Sequence, residues 1–236
     1  MKRKAILISA SPSFDPLPGA SLDVAAWSTF LRSNEGGAWN WDEITELCTP
    51  SKTSLLKAIN SARDADYAII AYSGHGEMVE GELPWAETIV QINDTEFATE
   101  RDLNPGTPRC TIILDCCRTK SKLHGRTLFI ESLGMEKSGE NRQSYRDEYE
   151  DQFSIAESGL IKIYSTEPNA AAADENSFTQ HLLLCAKRWA TYNQGVLTQK
   201  DAVNLALESI KHSNSQQKPE YQGGRRYRHF PLAIRL

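Results

Sequence analysis

No stretch of the 236 residues approaches the ~20 consecutive apolar positions that a membrane-spanning helix needs, so a bilayer is not an expected partner. The apolar run near the start, Lys4 to Ala10, is too short and too abruptly ended to read as a secretory leader. Cysteine is scarce. There are five, two of them adjacent and none in a CxxC pair, which excludes a disulfide framework and suits a reducing cytoplasm. The five histidines are scattered, so a zinc cluster is not expected. There is no basic excess either: 26 Lys and Arg against 31 Asp and Glu leave a net charge of −5, which argues against nucleic acid as a partner. No GxxxxGK[ST] loop occurs, and neither adjacent cysteine is followed by Arg at phosphatase spacing, which disfavours nucleotide and phosphate chemistry. The length suits one α/β domain with a full core, over residues 1–236.

Two short apolar runs carry the chemistry. Residues 111–114 have the β-branched, apolar character of a strand buried on both faces, and they lead into Asp115, Cys116 and Cys117. Strand alternation predicts Asp115 and Cys117 on one side and Cys116 on the other. Residues 66–72 form a second run, ending in Ser73, Gly74, His75 and Gly76. If the strands are parallel neighbours, His75 and Cys117 meet at their carboxyl ends, where open α/β sheets bind ligands. A thiol beside an imidazole is a stronger nucleophile at neutral pH, because the thiolate is the attacking form. Glycines around the His allow close approach of substrate, and the Gly76 N–H is placed to hold an oxyanion.

Taken together, YSGHG at residues 72–76 and DCCR at 115–118 resemble the caspase-like cysteine peptidases, most closely their small bacterial metacaspase-like branch. In that branch an SGHG segment precedes an Asp, a small residue and the nucleophilic Cys. The resemblance implies a caspase-like three-layer sandwich, an α/β fold whose mostly parallel sheet of about six strands carries helices on both faces. It implies His75 as general base, Cys117 as nucleophile, and backbone N–H groups of Gly76 and Cys117 as oxyanion donors. The segment GASLDV matches the one that lines the pocket for the substrate's basic side chain. Asp23, Ala20 and Ser73 would line that pocket, with Asp115 as its second acid. Paired carboxylates best offset the desolvation of a guanidinium or ammonium, so cleavage after Arg or Lys is expected. One departure stands out: Arg118, Thr119 and Lys120 replace the His, Ser and Gly often found after the nucleophile. The chemistry needs no cofactor. Some relatives require calcium, but no ligand set for it is evident, and the acids at 147–151 read as a solvated run. Small relatives act as switched proteases in bacterial stress, cell death or antiphage defence, which implies a peptide substrate and an upstream activating protease or regulatory partner.

The remaining elements follow from pattern. Strands are expected at 4–10, 43–48, 160–165 and around 230–234, with helices at 21–32, 52–63, 99–103, 177–192 and 198–212. Ser21 would cap the first helix and place Asp23 in its first turn, where interaction with the helix dipole is the simpler role. A hairpin is expected within 77–94, with Trp85 as a packing residue. Residues 119–157 are rich in charge and poor in periodicity, and they read as a flexible processing linker carrying basic cleavage sites. His181 and Cys185, four apart, read as packing, and the run Arg225, Arg226 and Arg228 as salt bridges or a protein interface. Two other functions stay open: a catalytically inactive caspase-fold adaptor that binds a partner protein, and a thiol enzyme that uses Cys116.

Overall fold

The computed structural model describes residues 1–79, 87–118, 141–170, 172, 177–213 and 217–236. In chain order its elements are β1 (Arg3–Ser9), α1 (Pro18–Arg32), a 3-10 turn (Trp41–Glu43), β2 (Ile44–Cys48), α2 (Lys52–Ser61) and β3 (Tyr67–Ser73). Next come β4 (Gly76–Val79), β5 (Glu87–Gln91), β6 (Phe97–Thr99), β7 (Arg109–Asp115), α3 (Arg142–Ile155) and β8 (Gly159–Tyr164). The chain closes with α4 (Phe178–Tyr192), β9 (Gly195–Thr198), α5 (Gln199–His212), β10 (Glu220–Gln222) and β11 (Pro231–Arg235).

Six strands form the central sheet in the order β10-β8-β7-β3-β1-β2, parallel throughout except for β10, which runs antiparallel to β8. The two inner strands β3 and β7 are buried almost end to end, as expected where both faces of a parallel sheet are covered. Alternation divides their side chains between two cores. Tyr67, Ile69, Ala71 and Ile113 join one core with α1, α3, α4 and α5, whereas Ala68, Ile70, Cys110, Ile112 and Leu114 join the other with α2 and the β5–β6 hairpin. The order reverses between β1 and β3, so a crevice opens at their carboxyl ends.

Several expectations need correction. Helix α1 starts at Pro18, with Pro in its first turn and no side-chain cap, so Asp23 lies beyond the first turn and away from the strongest dipole field. Residues 99–103 are not a helix. Thr99 ends β6, and the chain turns there with the Thr99 N–H donating to Asp102 Oδ2 at 2.8 Å, too close to Pro105 for a helix to propagate. The linker expected over 119–157 is contradicted in its last third, because 142–155 is helix α3. Tyr145, Tyr149 and Phe153 recur every four residues and are buried, while Asp147 and Asp151 between them are exposed. Arg142 donates to the carbonyls of Arg32 and Trp39, both at 2.6 Å, and Arg146 pairs with Glu43 at 2.6 Å, so neither arginine is a loop residue. Residues 119–140, which hold the remaining linker basics, and Trp85 lie outside the described residues.

Strands β9 and β10 are four and three residues long, too short to register as a periodic pattern. The arginine run splits by direction: the Arg226 guanidinium turns inward over Phe230 and donates to the Glu157 carbonyl at 2.7 Å, while Arg225 and Arg228 stay exposed.

Candidate active site

The site is built by register. Ser73 and Asp115 are paired residues at the ends of β3 and β7, and the Gly74 N–H extends the ladder by donating to the Asp115 carbonyl at 3.2 Å. His75 and Cys117 each stand two positions beyond this pair, so the turns that carry them leave adjacent parallel strands at the same level. Gly76 starts β4 directly against the cysteines: a Cβ at that position would stand 2.6 Å from Cys116 Sγ and 3.0 Å from the Cys117 carbonyl oxygen. Only glycine permits this approach.

His75 is held from three directions. Its carbonyl accepts from the Gln91 N–H at 3.0 Å, and the Tyr72 hydroxyl lies 2.7 Å from the same oxygen. On the ring, Nε2 lies 2.8 Å from the main-chain carbonyl of Asp15 and 3.5 Å from that residue's carboxylate.

Cys117 is clasped by the segment that follows β8. The Ala172 N–H donates to its Sγ at 2.9 Å. Arg118 exchanges two main-chain hydrogen bonds with Asn169 and Ala170, both 3.1 Å, and Ser165 Oγ donates to the Cys116 carbonyl at 3.0 Å. The Arg118 side chain anchors the turn. Its guanidinium stacks on Tyr164 at 3.9 Å, pairs with Glu220 at 2.7 Å and donates to the Thr166 carbonyl. Beneath it, Glu100 joins Lys162 and accepts from the Tyr164 hydroxyl at 3.0 Å. Burial works against the Glu100 charge, but the Lys162 ammonium outweighs it and keeps this carboxyl below its usual range.

The acids sit on the opposite side from Cys116, as alternation requires. Asp23 accepts hydrogen bonds from Ser73 Oγ and Ser177 Oγ, each at 2.6 Å, and Asp115 Oδ2 accepts from the Thr179 N–H at 2.8 Å. Both carboxylates are buried. Ala20 is buried in α1 one turn before Asp23. Ser177, expected as the first residue of the helix, is the cap of α4 and accepts from the Gln180 N–H at 3.2 Å. Its bond to Asp23 is 154 residues distant in the chain and left no local signal, as did the Thr179 N–H and Asp15. His181 and Cys185, on α4, turn toward α5, with His181 Nδ1 2.9 Å from Ser209 Oγ and Cys185 Sγ directed at the Leu205 carbonyl. Among the described residues no group of three or more His, Cys, Asp or Glu side chains could hold a metal ion, and no helix is long and apolar enough to cross a membrane.

A six-stranded, mostly parallel sheet with a His turn and a Cys turn on adjacent strands is the fold of caspase-like cysteine peptidases. Solved structures share it, among them the following two. Protein GSU0716 from Geobacter sulfurreducens is 16% identical with a TM-score of 0.59, covering 94% of this chain and 93% of that one. Caspase-1 from Spodoptera frugiperda is 13% identical with a TM-score of 0.54, covering 94% of this chain and 88% of that one. The sequence matches the caspase domain over residues 2–230, and the chain belongs to that family. No curated protein matched it.

Proposed function

We propose that this caspase-family chain is a metacaspase-like cysteine endopeptidase that cleaves after Arg or Lys. The observation that carries the reading is the paired end of β3 and β7: His75 and Cys117 stand equally far beyond Ser73 and Asp115, while Asp23 and Asp115 place two buried carboxylates on one side of the same strand ends. A basic side chain would enter between those acids. Asp23 with Ser73 and Ser177, and Asp115 with the Thr179 N–H, keep their oxygens oriented before substrate arrives, which lowers the ordering cost of binding.

The chemistry then runs on protein groups alone. His75 takes the Cys117 proton, and the thiolate attacks the scissile carbonyl carbon. N–H groups near Gly76 and Cys117 hold the oxyanion, each contributing on the order of 3 kcal/mol in comparable sites. His75 returns the proton to the leaving amine, and water hydrolyses the thioester to release the acid and restore the thiol.

Cys117, Asp23 and Asp115 are all buried, and the Ala172 N–H covers the sulfur, so substrate entry requires the segment after β8 to move. This supports a switched protease, released by a partner or by cleavage within residues 119–140, where Lys120, Lys122, Arg126 and Lys137 offer sites of the type the pocket would accept. A role in bacterial defence or cell-death signalling, in the cytoplasm, accords with a switch of this kind.

Fluorogenic peptides ending in Arg, Lys or Asp, offered before and after limited trypsin treatment, test the reading. Arg or Lys cleavage that survives Cys116→Ala and disappears in Cys117→Ala is the expected result. If folded protein cleaves nothing in either state, the chain is an adaptor that binds a partner through a closed site.

A further inference from the structure

We propose that the Asp15 carboxylate is a positioning group for His75, a third member of the Cys117–His75 pair whose charge supports the imidazolium that forms when the ring takes the thiol proton. This rests on the nucleophile and base assigned above and adds a residue to them.

The loop between β1 and α1 is fastened at several points. The Ser13 N–H and hydroxyl donate to the two Asp94 oxygens at 2.6 and 2.9 Å, and the Leu17 N–H donates to Ser11 Oγ at 2.7 Å. Between those ties the loop delivers two acceptors to one ring nitrogen, the Asp15 carbonyl at 2.8 Å and its carboxylate at 3.5 Å. Neither acceptor has a proton to give when the carboxylate is ionised, so Nε2 must be the protonated nitrogen. Nδ1 is then the basic nitrogen left to take the thiol proton. The carbonyl alone would select this tautomer. The carboxylate adds a negative charge facing the imidazolium that forms once Nδ1 is protonated, in the way a buried acid supports the His of a hydrolytic triad. Here the acid is 40% exposed, so its contribution is modest and sensitive to ions.

The test separates charge from shape. Asp15→Asn and Asp15→Ala both keep the main-chain carbonyl, and Asp15→Glu keeps the charge. With an Arg peptide and the form of the protein that cleaves, Asn and Ala should lower kcat about fivefold at low salt with KM unchanged. The deficit should shrink to under twofold at 1 M salt, where the Debye length is ~3 Å, and Glu should recover part of it. Separately, ¹⁵N spectra of the intact chain, assigned by loss of the signal in His75→Gln, should show neutral His75 with its proton on Nε2. Equal kcat for wild type and Asp15→Asn at low salt would overturn the inference, as would a deficit that persists at high salt or a proton found on Nδ1. If wild type cleaves no Arg or Lys peptide, the endopeptidase reading fails in the kinetic arm, while comparison of the His75 ¹⁵N signals of wild type and Asp15→Asn at low salt still decides the inference: they should differ, and identical signals would overturn it.

Discussion

Strand β7 presents two chemically different faces, and its last residues inherit the difference. On the side of α2, Cys110, Ile112, Leu114 and Cys116 run into apolar packing. Burial there pushes the Cys110 thiol up to about 12, with only a Thr107 hydrogen bond opposing it, which leaves it inert at neutral pH. On the side of α1 and α4, Thr111, Ile113 and Asp115 end against hydroxyls and a helix N-terminus, where a carboxylate has partners. Under the proposed mechanism the adjacent Cys116 and Cys117 differ in reactivity because of what surrounds them, and not because of the residue type.

The sharpest way to break this comparison is to exchange the two cysteines' fates. Cys117→Ala should abolish peptide cleavage by at least about 10³-fold, whereas Cys116→Ala should cost about threefold or less. The reverse ranking would move the nucleophile to the apolar face.

Stability offers the next largest effect. Phe153 is fully buried in α3 and stacks within 4.0 Å of Tyr67, so Phe153→Ala should lower unfolding free energy by about 3–5 kcal/mol in urea titration. A loss under about 1 kcal/mol would return α3 to the status of a linker.

Removing charge from the polar face comes third. Asp23→Asn or Asp115→Asn should reduce kcat/KM for Arg peptides by about 10²-fold, mainly through KM, while the rate of Cys117 alkylation stays within about twofold. Equal loss in kcat would instead assign these acids to the chemistry.

A smaller effect is expected at the anchor of the nucleophile turn. Arg118→Ala leaves Glu220 with the Gln222 amide and removes the stack on Tyr164, which should cost about 2 kcal/mol. That is less than a fully buried pair would lose, because Glu220 is one-third exposed.

The mildest test is acid. Glu43 is held below its usual range by Arg146, the Asn40 N–H and Arg3 against the opposing pull of burial, and Glu100 is held low in the same manner by Lys162. With folded values depressed, the unfolded chain binds more protons in the window below about pH 4.5. The stability these groups supply is complete above that window and is lost as pH falls through their folded values. His181 adds to the same slope at higher pH: burial lowers its value from the usual 6.5, so protonation favours unfolding. Urea midpoints at pH 7, 5.5 and 4 should fall in that order, and a Lys162→Met background should flatten the last step.

Much of the frame was legible because it is written in short-range pattern. The runs at 67–73, 109–115 and 159–164 are strands within a residue or two of expectation, and Ser51, Ser177 and Thr198 cap the helices that follow them. Helix α3 was missed because its apolar face is three aromatics in fourteen residues, diluted by charged neighbours that themselves have tertiary partners. The turn at 99–103 was misread because Thr99 and Asp102 carry the signature of a helix start while Pro105 prevents one.

By itself the sequence determined on which face of β7 its residues would fall, since alternation along an extended chain is a property of covalent geometry. It also determined the parallel, doubly covered sheet, because only burial on both faces explains runs without polar alternation. Tertiary structure alone decided that Ser177 meets Asp23, that Asp15 meets His75, and that Ala172 covers the sulfur of Cys117. Those contacts join segments 55 to 154 residues apart through loops, where hydrogen-bond partners are set by how packed elements converge and leave no periodic trace in the chain.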